Sequence, residues 1–146
     1  MLNRKKNIDL LVSHLWKLGY TIIKRKLGTY LSEPPNINGY EIDLVAKIRR
    51  QYAMGICIEK NELHDAKFLQ KLSYLASRKT KTGNKDVLLF ISFPVEIYKM
   101  VKDLVSSLDD PIKRNIYLVP MYEMVQNDLF NTSYDKVSLR NVERVH

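Results

Sequence analysis

Two neighbouring stretches in which apolar and acidic residues alternate constrain this chain more than any other feature. The first is GYEIDLVA at 39–46, and the second is MGICIEK at 54–60. Apolar residues at period two predict β-strands, and the short basic segment 47–51 predicts a hairpin between them. The pattern therefore predicts that Asp43 and Glu59 lie at corresponding places in adjacent strands.

Carboxylates are costly in strands this apolar, because a desolvated charge needs a cation, a hydrogen-bond donor or a shifted pKa. In the first strand Glu41 shares a face with Asp43, and Glu59 ends the second. Oxygen ligands at one edge of a sheet suit Mg²⁺ or Mn²⁺. The pair thus predicts a divalent-metal site, and the alternative is a set of solvated strand residues without a chemical role.

The order and spacing of these residues resemble the PD-(D/E)XK nuclease superfamily, in particular archaeal Holliday-junction resolvases and related small endonucleases. That superfamily places a metal-binding Asp at the end of its second strand and a Glu-x-Lys motif on its third. Asp43 and Glu59 match the two acids. Asn61 stands where the motif lysine is expected, and Lys60 occupies the variable position.

The resemblance implies a divalent-metal-dependent endonuclease that hydrolyses phosphodiester bonds in DNA, including structured or branched DNA. Asp43, Glu59 and the backbone carbonyl of Lys60 would bind Mg²⁺ or Mn²⁺. A lysine would assist hydrolysis, either Lys60 itself or Lys67 or Lys71 from the following helix. The departure at Asn61 leaves an alternative open, which is a catalytically inactive nucleic-acid-binding module on the same fold.

Further residues are accessory candidates within the same resemblance. They are Asp9 in the first helix, Glu41, Asn61, and Lys67, Gln70 and Tyr74 in the helix that follows the motif strands. Each also has a purely structural interpretation. Asp9 is well placed to charge the first turn of a helix, and the lysines are typical of an amphipathic flank.

The positive charge of the chain is unevenly distributed. The net charge is +8, and residues 1–50 hold ten Lys and Arg against four Asp and Glu. Residues 51–85 hold seven against three, whereas residues 86–146 hold seven against nine. Such a distribution favours a polyphosphate partner, here a nucleic acid and foremost DNA, although general basicity without a partner also accounts for it.

Basic residues in predicted loops and turns are the candidates for phosphate contacts. They are Arg25, Lys26, Arg49, Arg50, Arg78, Lys79 and Lys81. A basic interaction protein that binds no nucleic acid is the third interpretation of the chain.

The order helix, three strands, helix, strand, helix, strand predicts a single α/β domain over residues 1–146. Its central mixed sheet of about five strands is flanked by helices, as in the restriction-endonuclease-like core that the resemblance implies. We expect the core at 6–120 and a C-terminal arm at 130–146. The arm could equally be an edge strand or a dimer contact, and a homodimer is a further expectation.

Neither the apolar runs nor the cysteine content indicates a membrane or secreted protein. No apolar run approaches the ~20 residues of a membrane span, and the basic amino terminus leads into an amphipathic helix. Cys57, which is the single cysteine, excludes an internal disulfide and a cysteine-based zinc site. We therefore expect a cytoplasmic protein with Cys57 as a core residue.

Overall fold

A six-stranded sheet forms the centre of the protein in the computed structural model, which describes residues 4–122 and 143–144. The strands are β1 (Thr21–Arg25), β2 (Leu44–Ile48), β3 (Gln51–Cys57), β4 (Leu88–Pro94), β5 (Ile116–Met121) and β6 (Glu143–Arg144). The helices are α1 (Arg4–Lys17), α2 (Phe68–Ala76), α3 (Tyr98–Ser106) and α4 (Asp110–Lys113). Two 3-10 helices, Lys60–His64 and Val95–Ile97, precede α2 and α3.

The strands follow one another across the sheet in the order of the chain. The first three form an antiparallel meander, and the crossover through α2 then places β4 parallel to β3. The crossover through α3 places β5 parallel to β4, and β6 pairs antiparallel with β5. The predicted α/β fold, with a mixed sheet flanked by helices, is confirmed, and the sixth strand is a two-residue edge.

Helices cover both faces of the sheet, and each face has its own hydrophobic core. On one face α1 packs Ile8, Leu11 and Leu15 against residues such as Leu44 and Phe90. On the other face α2 and α3 bury a second set of aliphatic and aromatic side chains. This arrangement explains why β4 is apolar at nearly every position, since both of its faces are covered.

The motif strands differ from the prediction at their acidic ends. Residues 40–43 are not part of a strand, and β3 stops at Cys57, two residues before Glu59. The helix that the sequence predicts after the motif strands is divided into the 3-10 helix Lys60–His64 and α2. The acids that the sequence places inside strands therefore lie in the connections at one end of the sheet.

No helix in the described part of the chain is both long enough and apolar enough to cross a bilayer. The predicted C-terminal arm at 130–146 lies outside the described residues, apart from the β6 backbone. The short helix predicted from Met121 to Leu129 also falls largely outside them, and Met121 itself ends β5.

Candidate functional site

Asp43 is the buried polar residue around which the site is built. It is 2% exposed and directly precedes β2. One carboxylate oxygen accepts a hydrogen bond of 2.7 Å from the backbone N–H of Cys57, and the other forms an ion pair with the Arg4 guanidinium. The carboxylate thus bonds the end of β3 on one side and the first turn of α1 on the other.

A pocket of about 340 Å³ opens beside Asp43. We call it the acid pocket, and its lining residues are Arg4, Gly39, Tyr40, Glu41, Asp43, Cys57, Glu62 and Lys71. It combines three carboxylates with two cationic side chains. The structure therefore brings together residues from α1, the segment before β2, the end of β3, the 3-10 helix and α2.

Arg4 supplies the positive charge closest to Asp43. Its partial burial lowers its pKa, but the Asp43 carboxylate outweighs this effect, with smaller contributions from Cys57 and Glu62, and the net shift is upward. A guanidinium cannot lose its proton in a protein, so it acts here as a permanent cation. Arg4 consequently neutralises the carboxylate that the sequence assigned to a metal.

Glu62 is the second acid that interacts with the Arg4 guanidinium in the acid pocket. Burial raises its pKa, opposed by the hydrogen bond from the Glu59 backbone and by the positive charges of Lys71 and Arg4. Its carboxylate accepts that hydrogen bond at 2.9 Å. Glu62 therefore has a structural role at the start of the 3-10 helix as well as a place in the acid pocket.

Glu59 does not line the acid pocket. It is exposed and lies at the N-cap of the 3-10 helix, where its side chain and that of Glu62 form a reciprocal capping box. Lys60 and Asn61, the first residues of that helix, are also exposed. Of the predicted trio of Asp43, Glu59 and the Lys60 carbonyl, only Asp43 lines the acid pocket.

Cys57 takes the place beside Asp43 that the prediction gave to Glu59. Its thiol belongs to the core beneath α1, and burial together with the nearby Asp43 raises its pKa to about 12. A thiol with such a pKa stays protonated and is a poor nucleophile and a poor metal ligand. The interpretation of Cys57 as a small core residue agrees with its 6% exposure.

The helix α2 contributes only some of its predicted residues. Lys71 lines the acid pocket, whereas Lys67 and Gln70 are exposed and lie outside it. Tyr74 packs against Tyr40 with 5.6 Å between ring centroids, and the Arg78 guanidinium lies 3.8 Å from the centroid of the Tyr74 ring. Of these candidates, therefore, only Lys71 is positioned near Asp43.

The remaining accessory acids form ion pairs with Arg25, the last residue of β1, and with Lys26, which follows it. Asp9 forms an ion pair of 2.7 Å with Arg25, whose guanidinium also donates to the carbonyl oxygens of Lys26 and Leu27. Glu41 forms an ion pair with Lys26 at the rim of the acid pocket. Arg25 and Lys26, which the sequence assigned to phosphate contacts, are thus engaged within the protein.

The predicted divalent cation would meet a carboxylate that is already bonded within the protein. Mg²⁺ is commonly bound by one or two carboxylates with water and substrate oxygens, so Asp43 and Glu62 alone would be enough in number. However, both Asp43 oxygens are engaged, and an arginine stands beside them. Within residues 4–122 and 143–144, no group of three or more His, Cys, Asp or Glu side chains is arranged to hold a metal ion.

Sequence reasoning missed Arg4 and Glu62. Arg4 stands 39 residues before Asp43, and nothing local in the sequence connects them. Glu62 had a readable signal, because an acid three residues after another polar residue at the start of a helix is the capping-box pattern. That pattern assigns both Glu59 and Glu62 to a helix terminus.

Comparisons with known proteins give no match. No family model, no curated protein and no solved structure matches the chain.

Proposed function

We propose that this protein is a nucleic-acid-binding protein that holds its partner through basic surface residues and does not require a bound metal. One observation carries the proposal. Three acids of the basic segment, Asp9, Glu41 and Asp43, are each paired with a cation of the same chain.

These pairs within the chain leave the positive excess of the basic segment unchanged. Residues 1–85 hold seventeen Lys and Arg against seven Asp and Glu. Each internal pair removes one charge of each sign, so the excess of ten remains with few acids left to balance it. Surface cations bind a phosphate backbone through counterion release, and this binding needs no catalytic site.

The test is fluorescence anisotropy with labelled duplex, four-way junction, single-stranded DNA and RNA over a range of salt concentrations. We expect log K to fall linearly with log salt, by about 0.9 for each phosphate contacted on duplex DNA. EDTA should leave the affinity unchanged at constant ionic strength, and Mg²⁺ or Mn²⁺ should produce no cleavage.

The variant Asp43→Asn separates this proposal from the endonuclease that the sequence resemblance implies. It keeps the shape of the side chain and an oxygen that can accept from the Cys57 N–H, so we expect a folded protein with retained binding. Cleavage by the parent in Mg²⁺ that disappears in Asp43→Asn would establish the endonuclease instead. If none of the tested nucleic acids binds in a salt-dependent way, the result would favour a basic interaction protein that binds no nucleic acid.

A further inference from the structure

A second polar cleft lies at the opposite end of the sheet from the acid pocket. It is formed where the turn between β2 and β3 meets the connector between α2 and β4, and it has a volume of about 290 Å³. We call it the turn cleft, and its lining residues are Lys47, Arg50, Tyr52, Thr80, Thr82, Gly83 and Lys85. Since β3 spans seven residues, the two sites are about 20 Å apart.

The connector is itself a small hairpin. Lys79 and Asp86 form an antiparallel bridge, and the backbone N–H of Thr80 donates to the Lys85 carbonyl at 2.8 Å. The Thr80 hydroxyl in turn accepts from the Lys85 N–H at 3.1 Å. The tip of the connector is therefore shaped by its own hydrogen bonds.

Gln51 fixes this hairpin against the β2–β3 turn. Its side-chain amide donates to the Asp86 carbonyl at 2.9 Å and to the Tyr52 carbonyl at 2.8 Å. Two segments that lie about thirty residues apart in the sequence are thus held side by side. The walls of the turn cleft are consequently set by the fold and do not depend on a ligand.

The charge of the turn cleft has a single sign. Lys47, Arg50 and Lys85 line it, and none of the three forms an ion pair with the part of the chain that the structure describes. The nearest acid, Asp86, is occupied by Lys79 and faces Arg114 at 3.8 Å. Three cations without acidic partners, together with the hydroxyls of Thr80 and Thr82, make a donor set suited to an oxyanion.

We propose that the turn cleft binds a phosphate group, and that its natural ligand is a phosphodiester of a nucleic-acid backbone. This identification of the ligand rests on the proposed function, whereas the phosphate chemistry rests on the cleft alone. At 3.4 Å per nucleotide along one strand, the distance of about 20 Å to the acid pocket corresponds to roughly six nucleotides. The cleft therefore binds backbone independently of any event at Asp43.

Of the basic residues predicted from sequence, the structure selects Arg50 and adds Lys47 and Lys85. Arg78 stacks on Tyr74, and Lys79 pairs with Asp86, so both are engaged elsewhere. Arg49 and Lys81 are exposed neighbours of the cleft in the two turns. The binding surface is thus a product of tertiary contact and not of one basic run.

The test uses the double variant Arg50→Ala/Lys85→Ala of the full chain. The matched control is Lys99→Ala/Lys102→Ala on α3, which removes the same charge from a helix that does not line the turn cleft. In anisotropy titrations with single-stranded and duplex DNA, we expect the cleft variant to lower the salt slope by about 2. Its affinity should fall by about tenfold per lost contact at 0.1 M salt, whereas the control should retain the parental slope.

A second arm measures inorganic phosphate by NMR, through the backbone amide shifts of residues 80–85. The parent should give a saturating shift that Arg50→Ala/Lys85→Ala abolishes and that the control retains. The proposal that the turn cleft binds phosphate would be overturned if both double variants lost the same nucleic-acid affinity. It would also be overturned if phosphate caused no shift in the parent. A phosphate shift without nucleic-acid binding would instead overturn the proposed function and assign the cleft to free phosphate.

Discussion

At the scale of single residues, the contacts of Asp43 decide what the acid pocket can do. Its two oxygens hold the end of β3 and the first turn of α1, so this carboxylate is part of the fold. Removing one partner of a buried ion pair leaves an unpaired charge, which costs about 3–5 kcal/mol. The cost is smaller here, because the Arg4 side chain is 43% exposed and solvent screens its charge.

The raised pKa of Glu62 makes the stability of the protein depend on pH. The folded pKa of Glu62 is raised above the ordinary 4.5, chiefly by burial, so the fold favours the protonated form. The stability contributed by this form is complete below the unfolded pKa and is lost as pH rises through the folded pKa. At neutral pH the ionised Glu62 should therefore lower the free energy of unfolding.

Glu62→Gln imitates the protonated carboxyl and keeps an oxygen that can accept from the Glu59 N–H. We expect this variant to be more stable than the parent at pH 7, with the difference disappearing below about pH 4.5. Urea unfolding between pH 4 and pH 8 measures the effect, and Glu96→Gln, at an exposed glutamate, is the control. Destabilisation at pH 7 would mean that the attraction to Arg4 and Lys71 outweighs burial.

At the scale of secondary-structure elements, the contact of α1 with β2 and β3 positions Arg4. Gly55 allows this close approach, since a Cβ at that position would lie 2.8 Å from the Leu44 side chain and 2.9 Å from Leu11. Contacts below 3.0 Å require neighbouring atoms to move. The packing of α1 on the sheet, and with it the Arg4–Asp43 ion pair, therefore depends on a missing side chain in β3.

Gly55→Ala should lower the free energy of unfolding by about 1–3 kcal/mol, the usual cost of overpacking a core. Chemical denaturation measures this loss. In a Leu44→Val background the same substitution should cost less, because the crowding carbon is removed, and a double-mutant cycle would show this coupling. Strict additivity of the two substitutions would contradict the crowding explanation.

At the scale of the whole molecule, the net charge of +8 makes stability sensitive to acid. The hydrogen bond from Lys79 lowers the pKa of Asp86, and that from Lys26 lowers the pKa of Glu41. For Asp9, slight burial opposes the shift, but the hydrogen bonds from Arg25 and Lys5 outweigh it and the pKa is lowered. Each of these acids contributes stability above its unfolded pKa, and this is lost as pH falls through the folded value.

We therefore expect the urea midpoint to fall as pH decreases through the unfolded values of 4.5 for Glu and 3.8 for Asp, because the unfolded chain then takes up protons that the ion pairs exclude. The triple variant Asp9→Asn/Glu41→Gln/Asp86→Asn should show a shallower dependence over the same range. Added salt at pH 3 should raise the midpoint of the parent, because it screens the repulsion among the remaining cations. An identical pH profile for parent and triple variant would show that these exposed pairs contribute nothing.

The sequence alone determined the fold class and the location of the positive charge. Period-two apolar segments and the amphipathic helix near the amino terminus are local patterns, and the structure places them in strands and in α1 as predicted. Such patterns predict secondary structure well, because burial of apolar surface is the largest favourable term in folding. The positions of apolar residues along the chain show which face of each element is buried.

Only the tertiary structure decided which groups meet at Asp43 and at the turn cleft. The register that pairs Leu44 with Gly55 sets Cys57 against Asp43 and leaves Glu59 beyond the strand end. A hairpin register depends on how the turn closes, and a shift of one residue exchanges the two faces of a strand. Arg4 reaches Asp43 from 39 residues away because α1 packs across the sheet, and Gln51 joins the two basic turns by the same kind of long-range contact. Composition reveals that the charges exist, but distance in space determines which of them are neutralised and which remain available to a partner.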